Sequence, residues 1–456
     1  MVPRSLALAT DLYELTMAAA YFASRVTATA SFELCMRTLP QRRNYLVVAG
    51  LDQALAYLES LRFTEEDIAY LRSLPAFGGI PETFFAYLRD FKFTGEVWAI
   101  PEGTPAFQNE PLLRVTAPVI EAQLVETFLL TTINFQTMIA SKAARVVGAA
   151  GGRDIVEFGS RRAHGTEAGL YAARAAYIAG CAGTSNVEAG LRFGIPVYGT
   201  VAHSFVMAFD DEVTAFRRYM ETFPHNATLL IDTYDTIAAA QKIVAAGLRP
   251  QAVRLDSGEL DQLSGAVRKI LDEGGLQETR IIASGDLDES RIAALLAARA
   301  PVDAFGVGTR LATSYDEPAL GGVYKLVELE VDYVVRGTMK TSPAKMTPPG
   351  RKQVWRRCAP NREYAGNVLA LANEPAPPDA VPPAAEPLLV CVLRNGQRVG
   401  RAPALNEVRD SCRAALGRLP ARLKSLEPAA AYPVEISPRL AAEQQKLIGV
   451  RRCSSS

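Results

Sequence analysis

The sequence predicts an α/β protein with a parallel sheet, and two repeated features of its middle third carry that prediction. Short runs rich in β-branched residues recur, and from the second run onward they are spaced by roughly 23 to 32 residues, the length of a βα unit. Ala-rich stretches with helical spacing, such as residues 237–247, lie between several of these runs. The number of similar units favours a (β/α) barrel over a doubly wound sheet, although periodicity alone leaves both open. The predicted strands are DIVEF (154–158), PVYGT (196–200), TLLID (228–232), AVRLD (252–256), RIIAS (280–284) and DAFGV (303–307).

The segment before these units mixes helical and strand signals, and we predict that residues 1–130 form an N-terminal α+β domain. The Thr-Asp pair at 10–11 precedes apolar residues with helical spacing and is typical of a capped helix start. Strands are predicted at Ala28–Met36 and Glu96–Ile100, with Gly/Pro turns between them. Residues 131–345 are then the barrel domain. The gap between the first two strands of the repeat is longer than the others and could contain an extra element.

The βα pattern weakens after about residue 320, and residues 346–456 are predicted to be a small C-terminal segment. Residues 373–387 are rich in Pro and Ala, which indicates an extended linker or surface loop. One strand, LLVCVL (388–393), and a helix rich in Ala, Arg and Leu are predicted after it.

Composition excludes several classes of protein. The 49 Lys+Arg residues balance the 49 Asp+Glu residues, so we expect neither a nucleic-acid-binding protein nor one that binds acidic membranes. Six cysteines without a CxxC pair are typical of a reducing compartment. Asp11 and Glu14 lie where a secretion signal would be uncharged, and the Gly and Pro residues within Phe193–Phe209 make that stretch a poor membrane span. We therefore expect a soluble, cytoplasmic protein. Any histidine chemistry has to use one of three residues, His164, His203 and His225.

Polar residues follow the predicted strands at the point where each strand ends. Carboxyl ends of parallel strands meet at one edge, so we expect these side chains to lie close together. Arginine suits phosphate or carboxylate, the Gly-rich turn 306–309 can place amides around a phosphate, and aspartates can hold ribose hydroxyls or Mg²⁺. One such end is typical of a turn or helix cap, whereas six together indicate a site for a phosphorylated sugar or nucleotide with Mg²⁺. The residues are Arg161, Arg162, His203, Asp232, Asp235, Arg254, Asp256, Asp286 and Arg310.

Segments in a fixed order resemble those of the nicotinate phosphoribosyltransferase family, nearly throughout the chain up to about residue 356. They are TDLYELTM (10–17), EFGSRRAHG (157–165), GTSNVEAGLRFGIPVYGTVAHSFVMAF (183–209), LIDTYDT (230–236), VRLDSGEL (253–260), IIASGDLDE (281–289), FGVGTRL (305–311) and GRKQVWR (350–356). The resemblance implies the type II phosphoribosyltransferase fold, an irregular α/β barrel beside an N-terminal α+β domain. It implies an ATP-dependent, ligase-type enzyme that makes nicotinate mononucleotide and pyrophosphate from nicotinate and phosphoribosyl pyrophosphate (PRPP) in NAD salvage. It also implies a homodimer with active sites at the interface, and Mg²⁺.

The resemblance assigns a catalytic set of His203, Arg254 and Asp256. His203 matches the histidine that ATP phosphorylates; a neutral imidazole is a suitable nucleophile, and the alternative is a hydrogen-bonded core histidine. Ser204 is expected to orient the ring. Arg254 and Arg161 are expected to bind the nicotinate carboxylate or the PRPP phosphates, with structural salt bridges as the alternative. Asp256 is expected to contact ribose hydroxyls or Mg²⁺ and to stabilise an oxocarbenium-like transition state.

The remaining predicted residues bind substrate. Phe158 is expected to stack on the pyridine ring, and Tyr13 of the partner subunit is expected to close its other face; the alternatives are ordinary packed aromatics. Ser185 stands where the related nicotinamide-specific enzymes have an aspartate that would repel a carboxylate, unless it merely caps a helix. The residues predicted to hold the ribose, Mg²⁺ or the 5′-phosphate are Asp232, Gly285, Asp286, Gly308 and Thr309.

Three alternative functions remain. A nicotinamide phosphoribosyltransferase is disfavoured by Ser185, and a quinolinate phosphoribosyltransferase is disfavoured by the longer chain and the AHS motif. A catalytically silent, nucleotide-sensing homologue is disfavoured by the joint presence of His203, Arg254 and Asp256.

Overall fold

The structure, a computed structural model, describes residues 5–340, 342, 346–377 and 385–453. The chain forms two compact units, Met1–Thr137 with Ala319–Ser456, and Met138–Pro318. The region after residue 319 thus belongs to the same unit as the N-terminal region, while the division into three segments stays a prediction. Within the described ranges, no helix has the length and apolar content that a bilayer crossing requires.

The N-terminal part begins with the predicted helix, whose first residue, Leu12, follows Asp11. The Asp11 side chain does not cap the helix but accepts a hydrogen bond from Thr127 Oγ1 at 2.7 Å. The elements are α1 (Leu12–Ala23), β1 (Thr29–Met36), β2 (Leu46–Val47), α2 (Leu51–Ser60), α3 (Glu65–Ser73), a 3₁₀ turn (Pro75–Phe77), α4 (Glu82–Arg89), β3 (Glu96–Ala99), β4 (Pro105–Ala106), β5 (Pro111–Pro118), α5 (Val119–Leu124) and α6 (Glu126–Ala149).

The second unit contains the βα repeat. Its helices are amphipathic, as in the helix Leu260–Glu273, where the buried residues Leu260, Ser264, Val267 and Leu271 recur at the period of one helix face. After α6 the elements are β6 (Asp154–Glu157), a 3₁₀ turn (Ser160–Arg162), α7 (Thr166–Ile178), β7 (Gly183–Thr184), α8 (Val187–Phe193), α9 (His203–Met207), α10 (Glu212–Thr222), β8 (Thr228–Leu230), α11 (Thr236–Ala245), β9 (Ala252–Leu255), α12 (Leu260–Glu273), β10 (Arg280–Ala283), α13 (Glu289–Ala297), β11 (Ala304–Val307) and α14 (Thr309–Ala312).

The parallel sheet of this unit has the strand order β7-β6-β11-β10-β9-β8. From β8 the strands follow in chain order to β11 and continue with β6 and β7, which is the cyclic order of a barrel rather than a doubly wound sheet. The sheet is curled but open, so the predicted irregular α/β barrel is confirmed as a half-barrel.

Two strands of the sheet differ from the sequence-based prediction. The long gap after β6 does contain an extra strand, β7. The predicted strand PVYGT is wrong as a regular strand, because Val197 only forms an isolated bridge with Thr184. From Gly199 to Ser204 no backbone amide of these described residues donates to a backbone carbonyl, and the ladder stays open between Val197 and β8.

The chain then returns to the first unit. Residues 378–384 of the predicted linker lie outside the described residues, and Ala385–Pro387 at its end forms a strand paired with the strand Lys352–Cys358. The elements are β12 (Gly322–Val331), β13 (Val334–Gly337), β14 (Lys352–Cys358), β15 (Tyr364–Leu371), β16 (Ala385–Pro387), β17 (Val390–Arg394), β18 (Gln397–Arg398), α15 (Leu405–Gly417), a 3₁₀ turn (Ala421–Lys424), β19 (Val434–Ile436) and α16 (Pro438–Cys453).

The first unit is built on an antiparallel sheet of order β13-β12-β1-β5-β3-β17-β18 and a second sheet of order β16-β14-β15-β19. Its core combines buried residues of β1, β3 and β5 with one face of α2, where Leu51, Ala54, Leu55 and Leu58 recur at helical spacing. The strand predicted at 388–393 forms, two residues later, as β17, and it adds to the edge formed by β3.

Candidate active site

Residues that follow the parallel strands meet around two cavities of the second unit. The first measures about 300 Å³ and the second about 200 Å³. Four predicted residues, Phe158, Arg161, Arg254 and Asp256, line both cavities, so the two are neighbouring parts of one site. The first is also lined by Ser185 and His203, and the second by Gly285, Asp286, Gly308 and Thr309. The structure thus brings every residue with a predicted catalytic or substrate-binding role, except Tyr13 and Asp232, to the walls of these cavities.

Arg254 connects the carboxyl ends of three chain segments. Its Nε donates to Ser284 Oγ at 2.7 Å, its Nη1 to Thr200 Oγ1 at 2.7 Å, and its Nη2 to Asp256 Oδ1 at 2.6 Å. The guanidinium lies 5.6 Å from the centre of the Phe158 ring, a cation–π distance. Its planar fork is therefore fixed against the aromatic surface that we predict to receive the pyridine ring.

Asp256 is held ionised by its surroundings. Ser284 Oγ lies 2.6 Å from Asp256 Oδ1, the same oxygen that accepts from Arg254. Burial by itself would raise the pKa of the Asp256 carboxyl, but the hydrogen bond from Ser284 and the charge of Arg254 outweigh burial and lower the pKa below its usual value. Within the described residues no hydrogen bond engages Oδ2, so this oxygen is available to a ligand.

Asp232 lies beneath this arrangement and lines neither cavity. Its Oδ2 accepts from the Asp256 backbone amide at 3.1 Å and from Ser257 Oγ at 2.5 Å, so it fixes the turn after β9. Its Oδ1 is buried and has no hydrogen-bond partner within the described residues. Such an oxygen is an unused acceptor for a hydroxyl or a cation.

His203 is the first residue of α9 and lines the larger cavity. Its Nδ1 lies 3.1 Å from Thr233 Oγ1, on the segment that follows β8. Ser204 was expected to orient the imidazole, and this is wrong: the partner is Thr233. Sequence reasoning missed Thr233 because its neighbours Asp232 and Asp235 carried the expected chemistry.

Phe158 owes its position to two neighbours. A Cβ on Gly306 would lie 2.5 Å from Phe158 Cδ2, so a glycine there makes room for the ring. The fully buried Glu157 accepts from Thr184 Oγ1 at 2.6 Å and from the Gly159 amide, which fixes the turn that carries Phe158. Burial raises the pKa of the Glu157 carboxyl. Glu157 is a positioning residue that sequence reasoning also missed.

One of the turns that line the second cavity requires glycine. Gly285 has a φ of +92°, and a Cβ on it would lie 1.9 Å from the carbonyl oxygen of Asp256. The next residue, Asp286, also has a positive φ, +47°. The turns at Gly285 and Gly308 therefore present backbone and the Thr309 hydroxyl to the cavity with little side-chain cover.

Ser185 lines the first cavity and is fixed through its backbone, whose amide donates to the Glu157 carbonyl at 2.9 Å. The alternative reading, that Ser185 caps a helix, is wrong, because Asn186 caps α8 by accepting from the Ala189 amide.

The wider set of charged strand-end residues divides into two groups. Asp235 caps α11, and Arg310 pairs with Asp288 at 2.8 Å, so both have structural roles. Arg161 and Arg162 are exposed, line the second cavity and have no ion pair within the described part of the chain. They are available to an anionic ligand.

Tyr13 lies on α1 in the other compact unit and is 46% exposed. Burial of its hydroxyl group and the nearby Glu126 and Glu14 raise its pKa, so it stays a neutral phenol. Its predicted role toward a partner's site stays a prediction. Among the described residues there is no cluster of three or more His, Cys, Asp or Glu side chains that would enclose a metal ion.

Comparison with protein families gives matches along nearly the whole chain. The nicotinate phosphoribosyltransferase N-terminal domain matches residues 8–134, the nicotinate phosphoribosyltransferase family model matches residues 154–357, and the C-terminal domain of the same enzyme matches residues 351–444.

Similar proteins of known name agree with these matches. The nicotinate phosphoribosyltransferase pncB2 of Mycobacterium tuberculosis is 48% identical over 97% of this chain and 94% of its own length. The nicotinate phosphoribosyltransferase of Bacillus subtilis is 46% identical over 81% of this chain and 77% of its own length. The crystal structure of human nicotinic acid phosphoribosyltransferase superposes with a TM-score of 0.83, at 30% identity, over 96% of this chain and 99% of that one.

Proposed function

The chain belongs to the nicotinate phosphoribosyltransferase family, and we propose that it joins nicotinate to the phosphoribosyl group of PRPP with coupled ATP hydrolysis. The products are nicotinate mononucleotide and pyrophosphate, in a step of NAD salvage. The observation that carries the proposal is the arrangement of His203, Arg254 and Asp256 around one cavity in a chain of this family.

In this proposal nicotinate occupies the larger cavity. Its pyridine ring stacks on Phe158, whose own ring lies 5.6 Å from the Arg254 guanidinium. Its carboxylate pairs with Arg161, which has no competing ion pair within the described residues. The uncharged Ser185 side chain at this wall does not repel the carboxylate of nicotinate.

PRPP occupies the second cavity. The turns at Gly285 and Gly308 and the Thr309 hydroxyl receive the 5′-phosphate, and Asp286 holds the ribose hydroxyls. Ionised Asp256 lies on the wall that the two cavities share, where its negative charge stabilises positive charge developing at C1′ as pyrophosphate leaves.

Mg²⁺ fits this site as an ion held chiefly by the substrate's phosphates. Mg²⁺ in phosphoryl-transfer sites needs only one or two carboxylates in addition to phosphate oxygens. The unpartnered Oδ1 of Asp232 and the carboxylate of Asp286 are the available groups. When bound, Mg²⁺ would neutralise part of the charge on the pyrophosphate leaving group.

We propose that ATP phosphorylates His203. Thr233 holds Nδ1, which leaves Nε2 as the nitrogen that attacks the γ-phosphorus of ATP while the bond to ADP breaks. Later hydrolysis of the phosphohistidine releases phosphate and couples ATP consumption to product formation.

The assembly proposed is a homodimer in which Tyr13 of the partner subunit completes the pyridine site. Its support is the exposure of this aromatic side chain on α1. A cytoplasmic location is proposed as well, because Cys35, Cys358, Cys391 and Cys412 form no disulfide bond within the described residues.

The test is a turnover assay with PRPP, ATP and Mg²⁺ that offers nicotinate, nicotinamide or quinolinate as the acceptor. We expect nicotinate mononucleotide from nicotinate, and little product from the other two acceptors. Absence of product from nicotinate contradicts the proposal, and thermal stabilisation by PRPP without turnover would instead support a silent homologue.

Ser185→Asp is expected to reverse part of the preference for nicotinate. A carboxylate at this wall repels the carboxylate of nicotinate but can accept from the amide of nicotinamide, so kcat/KM for nicotinate should fall about 100-fold while that for nicotinamide falls less or rises. The measurement is kcat/KM for both acceptors. Ser185→Asn is the uncharged control of the same size; an equal loss in both variants would show that shape rather than charge matters at this position.

A further inference from the structure

Another polar cavity lies in the first compact unit, outside the proposed reaction site. It measures about 660 Å³, within the range of small-molecule sites. Its walls come from β3, β5, the β12–β13 hairpin, the turn before β14, the end of β15 and one face of α16. None of the residues proposed to bind nicotinate or PRPP lines it.

A buried arginine that forms no ion pair within the described residues is part of this cavity. Arg114 is only 4% exposed, and its guanidinium lies 5.3 Å from the centre of the Trp98 ring. Its Nη1 donates to the Lys352 carbonyl at 2.8 Å, whereas its Nε is buried without a hydrogen-bond partner within the described residues. The nearby carboxylate of Glu33 is engaged by Lys352 at 2.8 Å. A buried cation left in this state is stabilised when an anion enters beside it.

The rim of the cavity adds further positive charge. Arg439, Glu443, Lys446 and Leu447 recur at the spacing of one face of α16, and Arg336 faces them from β13 as part of the same lining. Arg336, Arg439 and Lys446 are exposed and have no ion pair within the described residues. They can approach an anion without first breaking a contact.

The acidic residues of the lining compensate this charge only in part. Glu96 accepts from the Trp98 indole at 2.6 Å, and Glu328 pairs with Arg351 at 2.8 Å, so both carboxylates are engaged. Glu443 is the third acidic residue of the lining, against five basic residues. The cavity therefore keeps an excess of positive charge.

The lining also has an aromatic and aliphatic part. Trp98, Val335, Leu371 and Leu447 contribute apolar surface beside the basic residues. Such a combination suits a ligand with a planar ring at one end and a phosphate at the other. We propose that this cavity binds an organic phosphate of nucleotide size, with its phosphate on Arg114, Arg336 and Arg439 and its ring against Trp98.

Trp98 provides a direct readout, because the chain contains only two tryptophans, Trp98 and Trp355, and Trp355 does not line the cavity. In a full-length Trp355→Phe protein, titration with AMP should change the fluorescence of Trp98 in a saturable way. Adenosine, which lacks the phosphate, and inorganic phosphate, which lacks the ring, should each bind at least about tenfold more weakly.

The double variant Arg336→Gln/Arg439→Gln should weaken AMP binding about tenfold or more. Its matched control is Arg401→Gln/Arg413→Gln, two exposed arginines of the same unit that do not line the cavity. The Arg254→Gln variant tests whether AMP acts from the reaction site, and it should leave the Trp98 signal unchanged.

Three results would overturn the inference. The first is that millimolar AMP causes no saturable change in Trp98 fluorescence. The second is that Arg254→Gln abolishes the change in fluorescence while the Arg336→Gln/Arg439→Gln protein keeps it. The third is that inorganic phosphate binds as tightly as AMP. Turnover of nicotinate is measured separately, so failure here and failure of the proposed function are distinguishable.

Discussion

We expect the His203→Ala protein to form no phosphoenzyme and to lose ATP hydrolysis. His203 is the histidine that lines the larger cavity, and the hydroxyls of Ser204 and Thr233 cannot replace an imidazole as the acceptor of a labile phosphoryl group. The measurement is incorporation of the γ-phosphate of ATP into protein as acid-labile, base-stable phosphate. Phosphoribosyl transfer should persist at a reduced rate, because the predicted nicotinate and PRPP contacts remain in place.

The other two histidines provide matched controls for this experiment. His164 and His225 are exposed and line neither cavity, so His164→Ala and His225→Ala should keep the phosphoenzyme and the coupled hydrolysis. Acid-labile label on the His203→Ala protein would show that another residue receives the phosphate. Loss of label in either control would point to the same conclusion.

Asp256→Asn should lower phosphoribosyl transfer by about 1,000-fold, the size of effect seen when one charge-stabilising group is lost from an active site. The substitution removes the negative charge on the wall shared by the two cavities and leaves the Arg254 guanidinium without its ion-pair partner. The measurement is kcat for nicotinate mononucleotide formation, with thermal unfolding to confirm that the variant folds. Asp235→Asn is the matched control, because Asp235 caps α11 and asparagine caps a helix equally well. A similar loss in both variants would contradict the role of Asp256.

The pKa of Asp256 fixes the pH range of this effect. Since its pKa in the folded protein lies below the usual value, ionised Asp256 contributes stability above about pH 4, and this contribution is lost as the pH falls through the folded-state pKa. Between pH 8 and pH 5 the carboxylate stays charged. Any loss of transfer by the native enzyme in that window must come from another group.

Most strands of the parallel sheet were predictable from the sequence, but their exact ends were not. Runs such as AVRLD and RIIAS combine β-branched residues with a fixed βα spacing, and both form strands, although each strand ends one residue earlier than predicted. The two-residue β7 was not predictable as a strand, because Gly183–Thr184 carries no apolar run. PVYGT has the right composition but pairs at a single bridge, because its position beside an open edge leaves it one neighbour.

The side-chain contacts of the candidate site were also predictable from the sequence only in part. The resemblance identified the residues that line the cavities, but not the residues that hold them, such as Thr233 against His203 and Glu157 beneath Phe158. These contacts join segments far apart in sequence, and their residue types are common in loops and strands. Asp232 and Asp235 differ by three positions, yet one supports the site and the other caps a helix. Only the three-dimensional arrangement separates the two roles.

The interruption of the parallel ladder beside Val197 has a consequence for local stability. The amides from Gly199 to Ser204 lack backbone acceptors within the described residues, so the segment that carries His203 can open without breaking the sheet, at a lower free energy than β9 or β10. In the role proposed for it, His203 meets a nucleotide and then a sugar phosphate in the same cycle, and such independence serves that role. We therefore expect this segment to rearrange as a small unit by itself, while the rest of the half-barrel keeps the remaining residues of the proposed site in register.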